Sequence, residues 1–416
     1  MTNAQFALAV LTVVSLAVVW YAYVGYPALI WLLARWCGRA ASRPEVSDAD
    51  LPRLSLVIAA YNEQKHIKER VRNALDLDYP ADRFEVVVAS DGSTDATEDI
   101  VAAFDDPRVR LIAYPERRGK AAVLNDTIGR LTGDVVMFSD ANTTTNRDAA
   151  RQLAAWFADP SIGVVCGRLV LTDPRAGRNV DSLYWKYETF MKKCESKLGA
   201  LLGSNGGIYA MRKSVYSPIP NDTVVDDFVI PLLARAKSGC RLVYDRDAVA
   251  CEETPATITS EFHRRARIGA GGFQSIGILR GLLNPKHGWV FFSFVSHKVA
   301  RWVSPFLLIA GLVGSAFLVN YPLFAALFVA QVAFYLLSLV AGWLPAKPRF
   351  LRFFRLPAMF TMMNAALFVG FLRWLFGVQK VAWRTRVEIG ALPPSFPRLM
   401  PREEAAPVGT RFEGEK

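Results

Sequence analysis

The sequence predicts an α/β domain with a mainly parallel sheet, bracketed by membrane-spanning helices, and three observations predict it. Between residues 52 and 260, apolar runs that end in acid or amide alternate with amphipathic helical patterns. That alternation yields a parallel sheet whose site lies along one edge. Residues 4–34 and 302–346 carry no charged side chain, and each run exceeds the roughly 20 apolar positions that a spanning helix needs. The 416-residue chain is 52% hydrophobic and yet has a net charge of +11, the balance of a membrane protein with basic cytoplasmic segments.

Each element follows in order. Residues 1–34 hold the first transmembrane helix; no basic segment precedes it, and its apolar run is too long for a cleaved signal peptide. Arg35, Arg39 and Arg43 come next, so the positive-inside rule puts the N-terminus outside and residues 35–300 in the cytoplasm. A basic linker, 35–51, leads into the domain at 52–260. There RLSLVIAAYNE (53–63) is a strand running into Tyr61, Asn62 and Glu63, followed by a helix carrying Ile67, Val71 and Leu75. FEVVVASDGSTDAT (84–97) is a buried strand, a polar turn and the start of a helix with Ile100, Val101 and Phe104. Residues 108–113 supply a short third strand. In ERRGKAAVLNDTIGRL (116–131), Gly119 precedes a helix with Val123, Leu124 and Ile128 on one face. GDVVMFSDANT (133–143) is a further strand ending in acid and amide. TVVDDFVIPLLARAKSG (223–239) opens a helix with Asp226 and Asp227, with Ile230, Leu233 and Ala236 inward.

Beyond the domain, residues 261–300 read as amphipathic interfacial helices, the second containing Trp289, Phe291, Phe292 and Phe294. Residues 301–378 hold the C-terminal spans: Asn320, Tyr321 and Pro322 divide one long run into two, and 356–372 make a shorter third. Lys347, Arg349, Arg352 and Arg355 return to the cytoplasmic side. Lys380, Arg384 and Arg386 follow the last run, where a count of four crossings would leave them outside, so charge rule and span count disagree at the C-terminus. Residues 379–416, rich in Pro, Glu and Gly, read as a mobile polar tail.

Five cysteines (Cys37, Cys166, Cys194, Cys240, Cys251) show no C-x-x-C spacing, and histidine occurs four times. Reduced thiols packed as small apolar groups are expected, not a zinc site. Neither G-x-G-x-x-G nor G-x-x-x-x-G-K-[ST] is present, which argues against dinucleotide oxidoreductases and P-loop NTPases.

Six motifs remain: AAYNE (59–63), DGSTD (91–95), GKAAVLN (119–125), SDAN (139–142), GSNGG (203–207) and VDD (225–227). As a set they resemble the membrane-embedded family 2 glycosyltransferases, the group of cellulose, chitin and hyaluronan synthases and ceramide glucosyltransferase. The resemblance covers roughly residues 50–300, and looks nearest to bacterial cell-surface polysaccharide synthases. It implies a GT-A (Rossmann-like) fold for 52–260, with one N-terminal and about three C-terminal transmembrane helices. It also implies inverting transfer from a nucleotide sugar, usually UDP-linked, and a divalent metal, Mg²⁺ or Mn²⁺.

The chemistry assigns each motif a task. Tyr61 can stack on a base, while Glu63 and Asp91 hold ribose hydroxyls or the base edge, or else only cap helices. Lys120 opens a helix, where positive charge and free N–H groups favour phosphate. Asp140 is the sugar or metal contact. The resemblance implies an Asp-x-Asp metal pair, and here the second member is Asn142, an amide oxygen without charge. His263 is a structural histidine before it is a further ligand. The acceptor hydroxyl needs a base, and the family pattern makes that base Asp227, with Asp226 its neighbour; adjacent carboxylates raise one pKa. Ser204, Asn205, Gly206 and Gly207 line the acceptor entrance, or mark a tight turn. Glu261 to Arg265 stands where processive members carry Gln-x-x-Arg-Trp: an arginine is kept, so Arg264 and Arg265 can neutralise the leaving diphosphate or anchor a helix to anionic membrane lipid. The Gln and Trp are replaced, which puts long-chain processivity in question.

The expectation is an inverting glycosyltransferase, hexosyl or N-acetylhexosaminyl, using a UDP-sugar at the cytoplasmic face of the inner membrane and building a cell-surface polysaccharide. Single-sugar transfer to a lipid acceptor is the alternative, and a catalytically inactive sugar-nucleotide-binding subunit a weaker one. Four spans make a narrow bundle, so a polymer channel points to a homo-oligomer or an export partner. No nucleic-acid partner is expected.

Overall fold

The computed structural model describes residues 1–173, 178–179, 183–253, 258–341 and 355–379. Helices α1 (Asn3–Trp20) and α2 (Tyr26–Trp36) are joined by a π turn at Tyr21–Gly25. Four parallel strands begin the sheet: β1 (Leu54–Ala60), β2 (Phe84–Asp91), β3 (Val109–Tyr114) and β4 (Val135–Asp140). The chain then adds β5 (Thr143–Thr145), β6 (Ile162–Asp173), β7 (Arg178–Asn179), β8 (Tyr209–Arg212) and β9 (Arg241–Glu253). The nine strands run in the order β3-β2-β1-β4-β8-β6-β9-β5, with β7 beside β6. β8 is antiparallel to both of its neighbours, and β6 and β9 are parallel to each other. This is the GT-A-like, Rossmann-type sheet that the resemblance implies, mixed where the strand–helix alternation predicts a mainly parallel one, and the described residues add one N-terminal and three C-terminal membrane-length helices.

β1 is buried throughout and apolar but for Ser55, because both faces are covered: Leu54, Leu56 and Ile58 enter one core cluster, Val57 and Ala59 the other. Helices α3 (Ile67–Leu75), α4 (Thr97–Ala102) and α6 (Ala149–Ala155) cover the first face. On the second lie α5 (Lys120–Ile128) and α8 (Asp226–Ser238). In α8 the deeply buried residues are Val229, Ile230, Leu232 and Ala234, while Leu233 and Ala236 pack only at the rim. In register, Ala60 pairs with Ser90 and Ala59 with Asp140. The parallel strands therefore stop together, and their polar ends share one edge, where ligands bind in open α/β sheets.

Among the described residues, four helical stretches are long and apolar enough to cross a membrane: Asn3–Trp36, Trp289–Phe317, Pro322–Ala341 and Leu356–Leu375. Residues 289–300, expected at the membrane surface, are continuous with the second of these: α10 (Trp289–Ser293), a π turn at Phe294–Val299, and α11 (Ala300–Phe317). Helices α12 (Pro322–Ala341) and α13 (Arg355–Leu375) complete the set. α7 (Leu183–Lys197) packs beside α2, and α9 (Ile258–Ile278) lies along α13. A Cβ on Gly370 of α13 would stand 2.5 Å from the carbonyl oxygen of Ala266 on α9, so these helices meet backbone to backbone. Phe273, Val290, Phe294 and Trp302 belong to the same apolar cluster as Val229 and Ile230. The α/β domain and the apolar helices thus share a core. All five cysteines are unpaired, three of them buried. The basic segment at 347–352 and the polar tail from 380 lie outside the described residues.

Candidate active site

The strand-end loops are fastened to one another before any ligand is considered. Asn62 takes φ +53°, a left-handed conformation that Asn tolerates better than most side chains. Its Oδ1 accepts the Thr94 N–H at 2.8 Å, and its own N–H donates to Ser93 Oγ at 3.2 Å. Glu63 N–H donates to Thr97 Oγ1 at 2.8 Å. Asp91 is 1% exposed, and its two carboxylate oxygens accept the N–H groups of Arg118 (2.7 Å) and Gly119 (2.9 Å). It closes the 115–119 loop onto β2. Gly92, at φ +66°, makes room for that closure, since a Cβ there would lie 2.8 Å from Arg117 N. From the same loop the Arg117 guanidinium stacks 3.7 Å from the centre of the Tyr61 ring.

Three carboxylates converge on one ammonium. Lys120 Nζ, at the first turn of α5, is 2.7 Å from Asp140 Oδ1 and 3.3 Å from Asp226 Oδ2. Burial opposes its charge, but Asp140, Asp226 and Asp227 outweigh that and hold the lysine pKa well above its ordinary value. Asp227 Oδ2 accepts the Gly206 N–H at 3.0 Å. The Asp227 carbonyl accepts both the N–H and the hydroxyl of Ser204, at 3.0 and 2.8 Å. A Cβ on Gly206 would stand 3.3 Å from Asp140 Oδ2 and 3.4 Å from Asp227 Oδ2, so only glycine lets the backbone pass between them unstrained. Burial first, then the neighbouring Asp226 charge, pushes the Asp227 carboxyl up to about 6, with Lys120 pulling the other way.

Asp226 Oδ2 is buried and makes no hydrogen bond beyond its ion pair with Lys120. With the partly open Asp140 and the half-buried Asn142, this orphaned oxygen suits a hard divalent ion. Among the described residues, no group of three or more His, Cys, Asp or Glu is arranged to hold one unaided.

Other expected residues have partners of their own. Asn205 Nδ2 donates to the Gly167 carbonyl at 2.7 Å, and its Oδ1 accepts from Lys192. Arg264 and Arg265 both pair with Glu261 of their own helix, at 2.8 and 2.7 Å. His263 Nδ1 is 3.1 Å from Arg373 Nη2 on α13.

Several contributors have no signal in a linear reading. Arg70, 1% exposed, donates from Nη1 to Asn73 Oδ1 at 2.9 Å, while its Nε and Nη2 make no hydrogen bond. Asn73 also accepts the Thr145 N–H at 2.9 Å, so Arg70 sits behind the segment that carries Asp140 and Asn142. Burial lowers its pKa to about 10, against the pull of Asp140. The Tyr209 hydroxyl is buried without a partner. On the membrane side, Glu195 Oε1 accepts the Tyr26 hydroxyl at 3.1 Å and lies 2.5 Å from His297 Nδ1, and Arg301 meets Glu188 at 2.7 Å. These pairs fasten α7 to α2 and to the Trp289–Phe317 helix.

Residues 55–218 match the family model described as Glycosyl transferase family 2. The chain is 25% identical over 323 residues to an N-acetylglucosaminyltransferase of Rhizobium meliloti, covering 73% of this chain and 75% of that protein. It is 26% identical over 245 residues to a poly-beta-1,6-N-acetyl-D-glucosamine synthase of Staphylococcus aureus, covering 56% of this chain and 57% of that synthase. The latter match thus spans little more than half of the synthase. The fold resembles that of a mannosyltransferase from Pyrobaculum calidifontis, solved in complex with GDP-Man and Mn²⁺, with a TM-score of 0.68 and 23% identity over 88% of this chain and 99% of that one. Residues 55–218 thus match a family 2 glycosyltransferase domain, on a chain whose described residues include four membrane-length helices.

Proposed function

We propose that the chain transfers a sugar, with inversion, from a UDP-sugar to a hydroxyl acceptor at the cytoplasmic face of the inner membrane, building a cell-surface polysaccharide. One observation carries this reading. Asp227 is a carboxylate held near neutral titration, fixed by the Gly206 N–H, with Asp140 and Lys120 across the same small space. That is a poised base beside a cationic seat for a diphosphate. The names of the relatives favour N-acetylglucosamine as the sugar.

In this reading the acceptor oxygen attacks the anomeric carbon from the side opposite the diphosphate. Its proton passes to a carboxylate oxygen of Asp227 while the bond from the anomeric carbon to the diphosphate oxygen breaks, its electron pair leaving with UDP. Asp226 keeps the Asp227 pKa high. Ser204, Asn205, Gly206 and Gly207 shape the acceptor side. The base stacks on Tyr61 in place of the Arg117 guanidinium that covers the ring at 3.7 Å, and Glu63 takes ribose hydroxyls. Asp91 serves the donor by fixing the loop that carries Arg117 and Lys120. Lys120, Arg264 and Arg265 counter the diphosphate charge. A divalent ion held by Asp140 and Asn142 would neutralise that diphosphate further.

Transfer of one sugar to a lipid is the second reading. It is favoured by the absence of a Trp at position 265, where Arg265 is tied to Glu261.

The test uses membranes carrying the wild type or Asp227→Asn, with labelled UDP-N-acetylglucosamine, UDP-glucose and GDP-mannose. Label from a UDP-sugar in a high-mass aqueous fraction, with the wild type only, is expected. Label confined to the organic extract replaces the polymer reading with the lipid one. Label from GDP-mannose alone overturns the donor, and none from any donor overturns the enzyme.

A further inference from the structure

We infer that the Lys120 ammonium is the resident cation of the acidic centre, holding the place between Asp140 and Asp226 until a metal–nucleotide complex arrives, so that Mn²⁺ or Mg²⁺ binds together with the nucleotide and not before it. The inference rests on the donor reading above and goes further in giving the order in which the charges assemble.

Three features of the centre lead to it. First, the carboxylates already face positive charge. Lys120 touches Asp140 at 2.7 Å and Asp226 at 3.3 Å, and the buried Arg70 lies behind Asp140. Second, the protein is short of ligands for a lone ion. Position 142 offers an uncharged amide, and no group of three or more His, Cys, Asp or Glu among the described residues has metal-binding geometry. Hard divalent ions take roughly six oxygens or more. A lone ion would therefore have to expel an ammonium from two carboxylates and still lack ligands. A diphosphate changes both conditions at once: its oxygens complete the coordination, and its charge gives Lys120 a new partner at the N-terminal end of α5. Third, the two cations differ in freedom. Arg70 is 1% exposed, whereas the Lys120 side chain keeps 13% exposure beside the 34% of Asp140, and it can move by rotating its side chain.

The experiment titrates Mn²⁺ into the full-length protein in detergent and reads the unbound ion from its EPR signal. Wild type should bind Mn²⁺ alone weakly, and saturating UDP should tighten binding at least tenfold. Lys120→Met removes the resident charge and should bind Mn²⁺ without nucleotide roughly tenfold tighter than wild type, while Lys120→Arg should behave as wild type. Wild-type affinity unaffected by UDP overturns the inference, as does a Lys120→Met protein no tighter than wild type. If the methionine variant does not fold, the wild-type titrations with and without UDP still decide. Equilibrium dialysis of labelled UDP separates the two levels. Failure of UDP to bind removes the donor reading, and the Lys120→Met comparison in Mn²⁺ alone then decides the role of the lysine.

Discussion

Gln274 holds Val224: its side-chain oxygen accepts the Val224 N–H at 3.0 Å, and its side-chain nitrogen donates to the Asp222 carbonyl at 2.9 Å. Gln274 belongs to α9, and the segment it grips ends two residues later in Asp226. One amide thus connects the helix that lies on α13 to the acids of the active site. Gln274→Leu should lower kcat about tenfold through loss of two hydrogen bonds and a displaced base, with UDP affinity nearly unchanged. Unaltered kcat in a membrane transfer assay would remove this connection from the mechanism.

Asp227→Asn preserves shape, and the amide oxygen can still accept the Gly206 N–H. Turnover should fall by roughly 10²–10⁴-fold, the usual contribution of a general base. Donor binding, followed by dialysis of labelled UDP, should persist. Loss of binding along with activity would mark Asp227 as a donor ligand instead.

The pH profile should report the same carboxyl. Its pKa is raised to about 6, so kcat/KM should climb as pH rises through that value and level off above it. A limb near the ordinary carboxylate value would contradict the assignment. The stability consequence has the opposite sense. A carboxyl whose folded pKa exceeds its unfolded one contributes stability below pH about 4 that is lost as pH passes about 6. Asp227→Asn should therefore be more stable than wild type at pH 7.5 by about 3 kcal/mol, a difference that disappears near pH 4. Thermal unfolding in detergent at both pH values checks it.

Gly206→Ala should cut activity about tenfold or more without unfolding the protein. The new methyl would enter the gap between Asp140 and Asp227, at 3.3 and 3.4 Å from their oxygens, and force a few tenths of an ångström of movement where alignment matters most. Kinetics beside a melting curve separate the two effects; a large loss of melting temperature would count against it.

Arg301→Met leaves Glu188 buried without its closest ion-pair partner, a change that costs about 3–5 kcal/mol in comparable sites. Pairing it with Glu188→Gln should restore part of the loss. A double variant no better than Arg301→Met would mean that the charge pair is not the source of the damage.

The parallel half of the fold is legible in the sequence because β1, β2 and β4 are short, doubly buried and punctuated by acid and amide. β6, β8 and β9 are not, since their pairing joins segments up to 81 residues apart and no turn announces it. The site divides in the same way. Asp140, Asp226, Asp227 and Lys120 stand out as motif residues, yet their convergence depends on side chains crossing from β4, α5 and α8. Asp91 is visible as an acid at a strand end, but its partners lie 27 and 28 residues later in a loop. Arg70 reads as an ordinary helical arginine, and nothing in its neighbours announces its burial. Gln274 gives no sign of gripping a segment fifty residues before it.

At Gly370 and Ala266 the backbones of α13 and α9 meet directly, and Phe273 of α9 packs its ring against Phe371 of α13 at 5.0 Å. Gln274 lies eight residues further along the same α9, holding the approach to Asp226. α13 contains a helix long and apolar enough to cross a membrane, so under the proposed function the bilayer is a mechanical part of the enzyme. Lipid of mismatched thickness tilts such helices, and here a tilt has a lever to the proposed catalytic acids. Turnover in vesicles of graded acyl length should therefore pass through an optimum, as though membrane thickness were an effector.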